Sequence, residues 1–286
     1  MNTLLPEQVK ELWQRQEQQN LCADDCYAEQ ERLIDRYRNI WKHSQCLTNH
    51  QDLEASILSE LGQYMTCKDK AEVRNRCEQA VSTLKAEWQQ KVTDVSRQSV
   101  EQFYDESHSA IYELMWWHTL SEDSSPLAYV TALEFAQHHN CQDYLDFGAG
   151  VGSGGILFTR DGRQTTLADI SSPLQQFAQW RFEKRNLAAH FIDLKVQTLS
   201  SHAYDFITAM DVFEHLVDPI EAIDQLSDAL KSGGYFFARL ASEVDEDRPQ
   251  HIIQDFSPTF KHLQKLGFVQ VWQDDWLWGH VVFKKP

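Results

Sequence analysis

The chain has 286 residues, 42% hydrophobic and 24% charged, with a formal net charge of −17 at pH 7. That balance belongs to a water-soluble globular protein, and so acidic a chain excludes nucleic acid as the expected main partner, because such binding draws on neutralised phosphates. No apolar run approaches the ~20 residues that span a bilayer, and "MNTLLPEQVKELWQRQ" lacks a secretory pattern, so a cytoplasmic protein without a membrane partner is expected.

The first 125 residues hold one glycine, Gly62, and one proline, Pro6. Apolar residues there recur at helical spacing: Leu33, Ile34, Tyr37, Ile40 and Trp41, then Ile57, Leu58 and Leu61, then Val81, Leu84 and Trp88. Long polar residues fill the other faces. Four to six helices are expected, with breaks near 19–25, 44–50 and 66–69. "SVEQFYDESHSAIYELMWWHTL" reads as one continuous helical run. The six cysteines show no CxxC, and no histidine pair has zinc-site spacing, so no metal is expected and the thiols read as buried small residues.

Glycine and proline density rises near "SEDSSP", residues 121–126, which divides an all-α region, 1–120, from a second region, 121–286. Strand patterns follow in "DYLDF", "TTLADI", "HFIDLKV", "YDFITAM", "GYFFARL", "FVQVWQ" and "WLWGHVVFK". Helical patterns lie between most of them: "SPLQQFAQWRFEKRN", "DPIEAIDQLSDALK" and "SPTFKHLQKLG". This alternation means an α/β fold, a seven-stranded mostly parallel sheet flanked by helices. The last two strand patterns have only a short link, so the last strand should be antiparallel.

"DYLDFGAGVGSGG", residues 143–155, places five of the eleven glycines behind the first strand. Glycine there permits a tight turn and close backbone approach to a ligand. A dinucleotide register exists at Gly150, Gly152 and Gly155, but it starts late. The register Asp146-Phe-Gly148-Ala149-Gly150-Val-Gly152 starts at once. An acid at the strand end followed by GxGxG resembles the first motif of class I S-adenosylmethionine-dependent methyltransferases, whose fold is Rossmann-like. Asp169, at the end of "TTLADI" with Ile170 beside it, can accept from both hydroxyls of a ribose. "FIDLKVQTLSSHAYDFITAMDVFEHLVDP" resembles the third and fourth strand region of ubiquinone-biosynthesis-type methyltransferases.

The resemblance implies S-adenosylmethionine as cofactor and a small-molecule methyl acceptor whose atom, oxygen, nitrogen or carbon, stays open. It implies Asp146, Gly148, Ala149, Gly150 and Gly152 at the amino-acid end of the cofactor and Asp193 near the adenine. Met210 and Asp211 would face the sulfonium, Glu214 and His215 would cap the pocket, and Asp218-Pro219 would start the next helix. "YDESHSAIYELMWWHTL" resembles the helix laid over the cofactor, with Tyr112, Trp116 and Trp117 in contact or in the core. His215 is the leading general base, with His251 second and His118 third. "SEVDEDRPQ" reads as a solvated loop, or as an acidic lip for an amine acceptor. Trp272, Trp276 and Trp278 read as core or subunit contact. The N-terminal helices are expected to roof the acceptor pocket, with self-association as a homodimer the second choice. The alternative function is cofactor binding without methyl transfer, the helices docking a protein partner.

Overall fold

Helix formers at helical spacing, capped by short polar side chains, build the first half of the chain. The computed structural model describes residues 7–18, 22–47, 52–120, 124–241, 245–273 and 279–286. Seven helices precede residue 116 among these: α1 (Glu7–Glu17), α2 (Ala23–Gln45), α3 (Leu53–Tyr64), α4 (Lys70–Glu78), α5 (Ala80–Lys91), α6 (Arg97–Glu106) and α7 (Ser109–Met115). A π-helical turn, Trp116–Leu120, continues α7, and α8 (Ser124–His138) follows. Cys22 and Asp69, in two of the expected breaks, and Asp52, two residues past the third, accept from the first-turn amides of α2, α4 and α3.

The expected continuous run from Ser99 to Leu120 is instead interrupted at Ser107 and His108. Glu87 of α5 accepts from the hydroxyls of both Ser107 and Ser109, at 2.7 Å each. Ser107 takes an extended backbone there, and one carboxylate from a neighbouring helix bridges the two sides of the break. Sequence spacing carries no trace of that partner.

The second half alternates as expected: β1 (Asp143–Phe147), α9 (Ser153–Arg160), β2 (Gln164–Asp169), α10 (Ser172–Lys184), β3 (His190–Asp193), β4 (Tyr204–Ala209), α11 (Pro219–Ala229), β5 (Leu230–Arg239), α12 (Ser257–Lys265), β6 (Val269–Gln273) and β7 (His280–Lys284). Asp218 caps α11 by accepting from the amides of Ile220 and Glu221, with Pro219 in its first turn. The strands lie in the order β3-β2-β1-β4-β5-β7-β6. β7 alone is antiparallel, to β5 on one side and β6 on the other. Trp272 is buried against Phe237 of β5; Trp276 and Trp278 lie outside the described residues.

Strand order reverses between β1 and β4, and in an open α/β sheet the connections there diverge and leave a crevice. α2 packs on α8 and α9, on one face of the sheet. Residues of α3, α4, α5, α6 and α7 share a core with Val151 after β1 and with Leu174 and Phe177 of α10. No helix among the described residues is long and apolar enough to cross a membrane.

Candidate active site

A cavity of about 440 Å³ lies at the carboxyl ends of β1, β2 and β4. Its floor is the glycine turn. Gly148, Gly150 and Gly152 all have positive φ, at 70°, 53° and 76°, a backbone region that other residues adopt only with strain. The Gly148 and Ala149 amides donate to the Ala168 carbonyl, and the Gly150 amide donates to Asp169 Oδ2 at 2.8 Å. A Cβ on Gly148 would sit 2.5 Å from Val212 Cγ2. The turn is thus folded against the end of β2, with Gly148, Ala149 and Gly150 lining the cavity.

Asp169 and Ile170 line the same space, as do Met210 and Asp211 beyond β4, and His215 and His251. Asp169 Oδ1 accepts from the Ser171 amide at 2.8 Å, so each of its oxygens already serves one backbone donor. Each keeps a further lone pair. Burial raises its carboxyl above the usual range, against the pull of the two amides.

Four expected contacts do not reach the cavity. Asp146 is fully buried beneath the turn, accepting from Thr208 at 3.0 Å and Tyr129 at 3.3 Å. Burial pushes its carboxyl up to about 7. Gly152 faces Leu167, Ala178 and Phe182, where a Cβ would meet all three within 3.4 Å, so its bareness serves helix–sheet packing. The Asp193 carboxylate turns to the Lys195 amide at 2.9 Å, and Leu194 takes its place in the lining. Trp117 lies on the π turn, which directs its neighbours His118 and Thr119 inward instead. Tyr112 and Trp116 are likewise outside the lining, engaged by Arg76 and by the Arg74 guanidinium over the indole.

The opposite wall comes from the N-terminal helices and from the segment after β5. Leu84, Phe103, Tyr104, Glu113 and Leu114 contribute from the first; Arg239, Asp245, Arg248 and Gln250 from the second. Tyr104 and Glu113 lie in the segment expected over the cofactor and Arg248 in the expected lip, though none was singled out there, and Arg239 carried no site signal in the sequence. His118 lies 3.4 Å from Glu113 and 3.5 Å from Asp211, whose Oδ1 accepts from Arg239 at 2.7 Å. Burial disfavours the imidazolium, but the two acids outweigh it and hold His118 well above its usual range. Asp211 sits correspondingly low despite its burial. The two carboxylates thus favour the imidazolium form of His118. Two acids of the lip are paired: Asp245 accepts from Arg248, and Asp247 pairs with Lys85 of α5.

His215 has the opposite character. Burial, then the charge of His251, depress it to about 3. Its Nδ1 lies 3.1 Å from the Gln250 carbonyl and 3.1 Å from the Tyr104 hydroxyl. A carbonyl only accepts, so Nδ1 carries the proton and Nε2 keeps its lone pair. Glu214 is buried, Oε2 has no partner among the described residues, and burial with the nearby Asp211 charge pushes it up to about 8. Glu214, His215 and His251 each bring one donor atom within 4.8 Å of the others, a set that could hold a divalent cation. The sequence offered no such spacing; the fold brings His251 over from beyond β5.

The fold is a seven-stranded α/β sheet with a ligand-sized cavity where its strand order reverses. The model of the family described as "Methyltransferase domain" matches residues 101–269, more than half of the chain. The chain belongs to that family, the class I S-adenosylmethionine-dependent methyltransferases. It is 29% identical over 141 residues to the ubiquinone biosynthesis O-methyltransferase of Vibrio cholerae, which covers 45% of this chain and 56% of that protein. The Erwinia tasmaniensis protein of the same name is 31% identical over 137 residues, covering 43% and 54%. The matches thus span about half the length of these relatives. Among solved structures, the Haemonchus contortus phosphoethanolamine N-methyltransferase 2 complex with S-adenosyl-L-methionine aligns over 62% of this chain and 45% of that one, at TM-score 0.45 and 18% identity. A Pyrococcus horikoshii protein aligns over 58% and 93%, at TM-score 0.45 and 17% identity.

The residues present suit the family's cofactor. The volume is within the roughly 300–1,000 Å³ of ligand pockets. A bare backbone turn, a carboxylate with spare lone pairs, apolar walls from Ile170, Leu174 and Leu194, and acidic Asp211 meet around one space.

Proposed function

We propose that the protein transfers a methyl group from S-adenosylmethionine to a small-molecule acceptor, with His215 taking the acceptor's proton. The observation that carries this reading is that a neutral imidazole, its tautomer fixed by the Gln250 carbonyl, faces the cavity floored by Gly148–Gly150. S-adenosylmethionine, when bound, supplies an already activated methyl carbon, so the chain's own work is to position, to exclude water and to move one proton. Gly148, Ala149, Gly150, Asp169, Ile170, Met210 and Asp211 would hold the cofactor. His215 Nε2 accepts the acceptor's proton, and the Tyr104 hydroxyl keeps the ring in place. The helices α5, α6 and α7 close the acceptor side, and His118 with Arg239 and Arg248 leaves that side close to electrically balanced. The relatives are named as O-methyltransferases, which makes a ring hydroxyl the first acceptor class to test.

The test is turnover of isotopically labelled S-adenosylmethionine against phenol, catechol, amine and thiol panels. His215→Ala is expected to lower the rate by about 10²–10⁴-fold, with cofactor affinity unchanged. No turnover with any acceptor, alongside intact cofactor binding, would favour a binding protein whose helices dock a partner. One observation favours a second reading of His215: the donor set it forms with Glu214 and His251. If a chelator abolishes turnover and added magnesium or zinc restores it, His215 is a ligand orienting the acceptor, and the proton goes elsewhere.

A further inference from the structure

Arg181, on α10, is fully buried, and so are Glu60 of α3 and Gln45 of α2. Arg181 Nε donates to Glu60 Oε2 at 2.9 Å, and Nη2 donates to Gln45 Oε1 at 3.1 Å. Nη1 donates to the Val151 carbonyl at 2.7 Å and to Ser153 Oγ at 2.8 Å. Gln45 Nε2 donates to the Ser153 carbonyl at 2.8 Å. Arg185 completes the group, donating to both Glu60 oxygens at 2.9 and 2.6 Å. Two guanidiniums thus share one carboxylate in a dry interior, an arrangement in which attraction often fails to recover the cost of desolvation. Burial pulls the Arg181 guanidinium down to about 10 even with Glu60 beside it. Stability alone gives little reason to keep such a triad, since apolar residues of the same size would serve.

What the triad touches gives a reason. Val151 and Ser153 flank Gly152, and both line the cavity. A glycine turn has no stiffness of its own, and its amides on the β2 side are already held by Ala168 and Asp169. Arg181 and Gln45 grip its two following carbonyl groups from behind. We propose that Gln45, Glu60 and Arg181 are positioning residues for the cofactor turn: Arg181 and Gln45 set its shape, and Glu60 aims Arg181. This rests on reading that turn as the S-adenosylmethionine cradle. It assigns a role in cofactor affinity to helices that lie outside the matched methyltransferase segment.

The experiment titrates S-adenosylmethionine and S-adenosylhomocysteine calorimetrically into the full chain and three variants, each with a thermal melt. The triple variant Glu60→Met, Arg181→Met, Arg185→Leu replaces the triad by apolar volume. It is expected to melt cooperatively near wild type yet to bind the cofactor about 10- to 100-fold more weakly, the usual weight of hydrogen bonds from a charged group. Gln45→Leu should weaken binding by about 3- to 10-fold. Arg181→Lys, which can still reach one carbonyl beside Glu60, should recover most of the affinity lost in the triple variant. Wild-type affinity in a folded triple variant would overturn the proposal. Should the triple variant not fold, unchanged affinity in Gln45→Leu would overturn it as surely. Wild-type protein that binds neither compound would instead remove the cofactor reading itself.

Discussion

Asp169 and Asp146 show how much a single carboxylate's role depends on what surrounds it. Both end parallel strands next to the glycine turn, and on sequence both read as cofactor ligands. Asp169 reaches the cavity, and Asp146 is sealed under it. Asp169→Ala should weaken S-adenosylmethionine binding by roughly 1.5–3 kcal/mol. From the sequence, Asp169→Asn would be expected to cost less, because one acceptor oxygen survives. In the structure each oxygen receives a backbone N–H, so an amide NH₂ would face the Gly150 or Ser171 donor. The asparagine variant should therefore bind no better than the alanine one; calorimetry on both checks it. Asp146 makes a different prediction. Its folded pKa, about 7, lies above its ordinary 3.8, raised by burial, so the folded protein keeps a proton that the unfolded chain releases. The stability it contributes is fully present below pH ~4 and is lost as pH rises through ~7. The melting temperature of wild type relative to Asp146→Asn should thus decline between pH 5 and pH 8. A difference that is flat, or that rises with pH, would show that Asp146 is ionised in the fold.

Elements were legible where their signal is local. The strand patterns map onto β1 to β7, the Cys22 and Asp69 caps fall in expected breaks, and Asp218-Pro219 opens α11. The join between α6 and α7 was not legible; the carboxylate that spans it, on Glu87 of α5, lies 20 and 22 residues upstream of Ser107 and Ser109. The bend matters for the site: it lets α6 present Phe103 and Tyr104, and α7 present Glu113 and Leu114, to one cavity. Glu87→Ala removes both acceptors and should cost about 1–3 kcal/mol, read as a lower denaturation midpoint. If the bend positions Tyr104, the same variant should also raise KM for the acceptor while leaving cofactor affinity unchanged.

At the scale of the whole molecule, the expected division at residue 120 meets a continuous interior. Ile57, Leu61, Val73 and Trp88 share a core with Val151, Leu174 and Phe177, and the Arg181 and Arg185 guanidiniums find their carboxylate on α3. From sequence, removing residues 1–100 should leave a foldable sheet that still binds cofactor. The structure leads to the opposite outcome: the truncated chain strips the cover from α10, exposing Leu174 and Phe177 to water and taking Glu60 from Arg181 and Arg185. It should melt without a cooperative transition, and circular dichroism with calorimetry would show it. The sequence by itself determined the strand–helix alternation, the antiparallel end of the sheet and the glycine turn, because each depends on neighbours within a few residues. Only the tertiary structure decided which acids face the cavity, which histidine lies between two acids and which against a carbonyl, and which side chains bond the turn from behind. Those properties depend on burial and on partners such as Glu60, Glu113 and Gln250, which are remote in the chain and close only after folding.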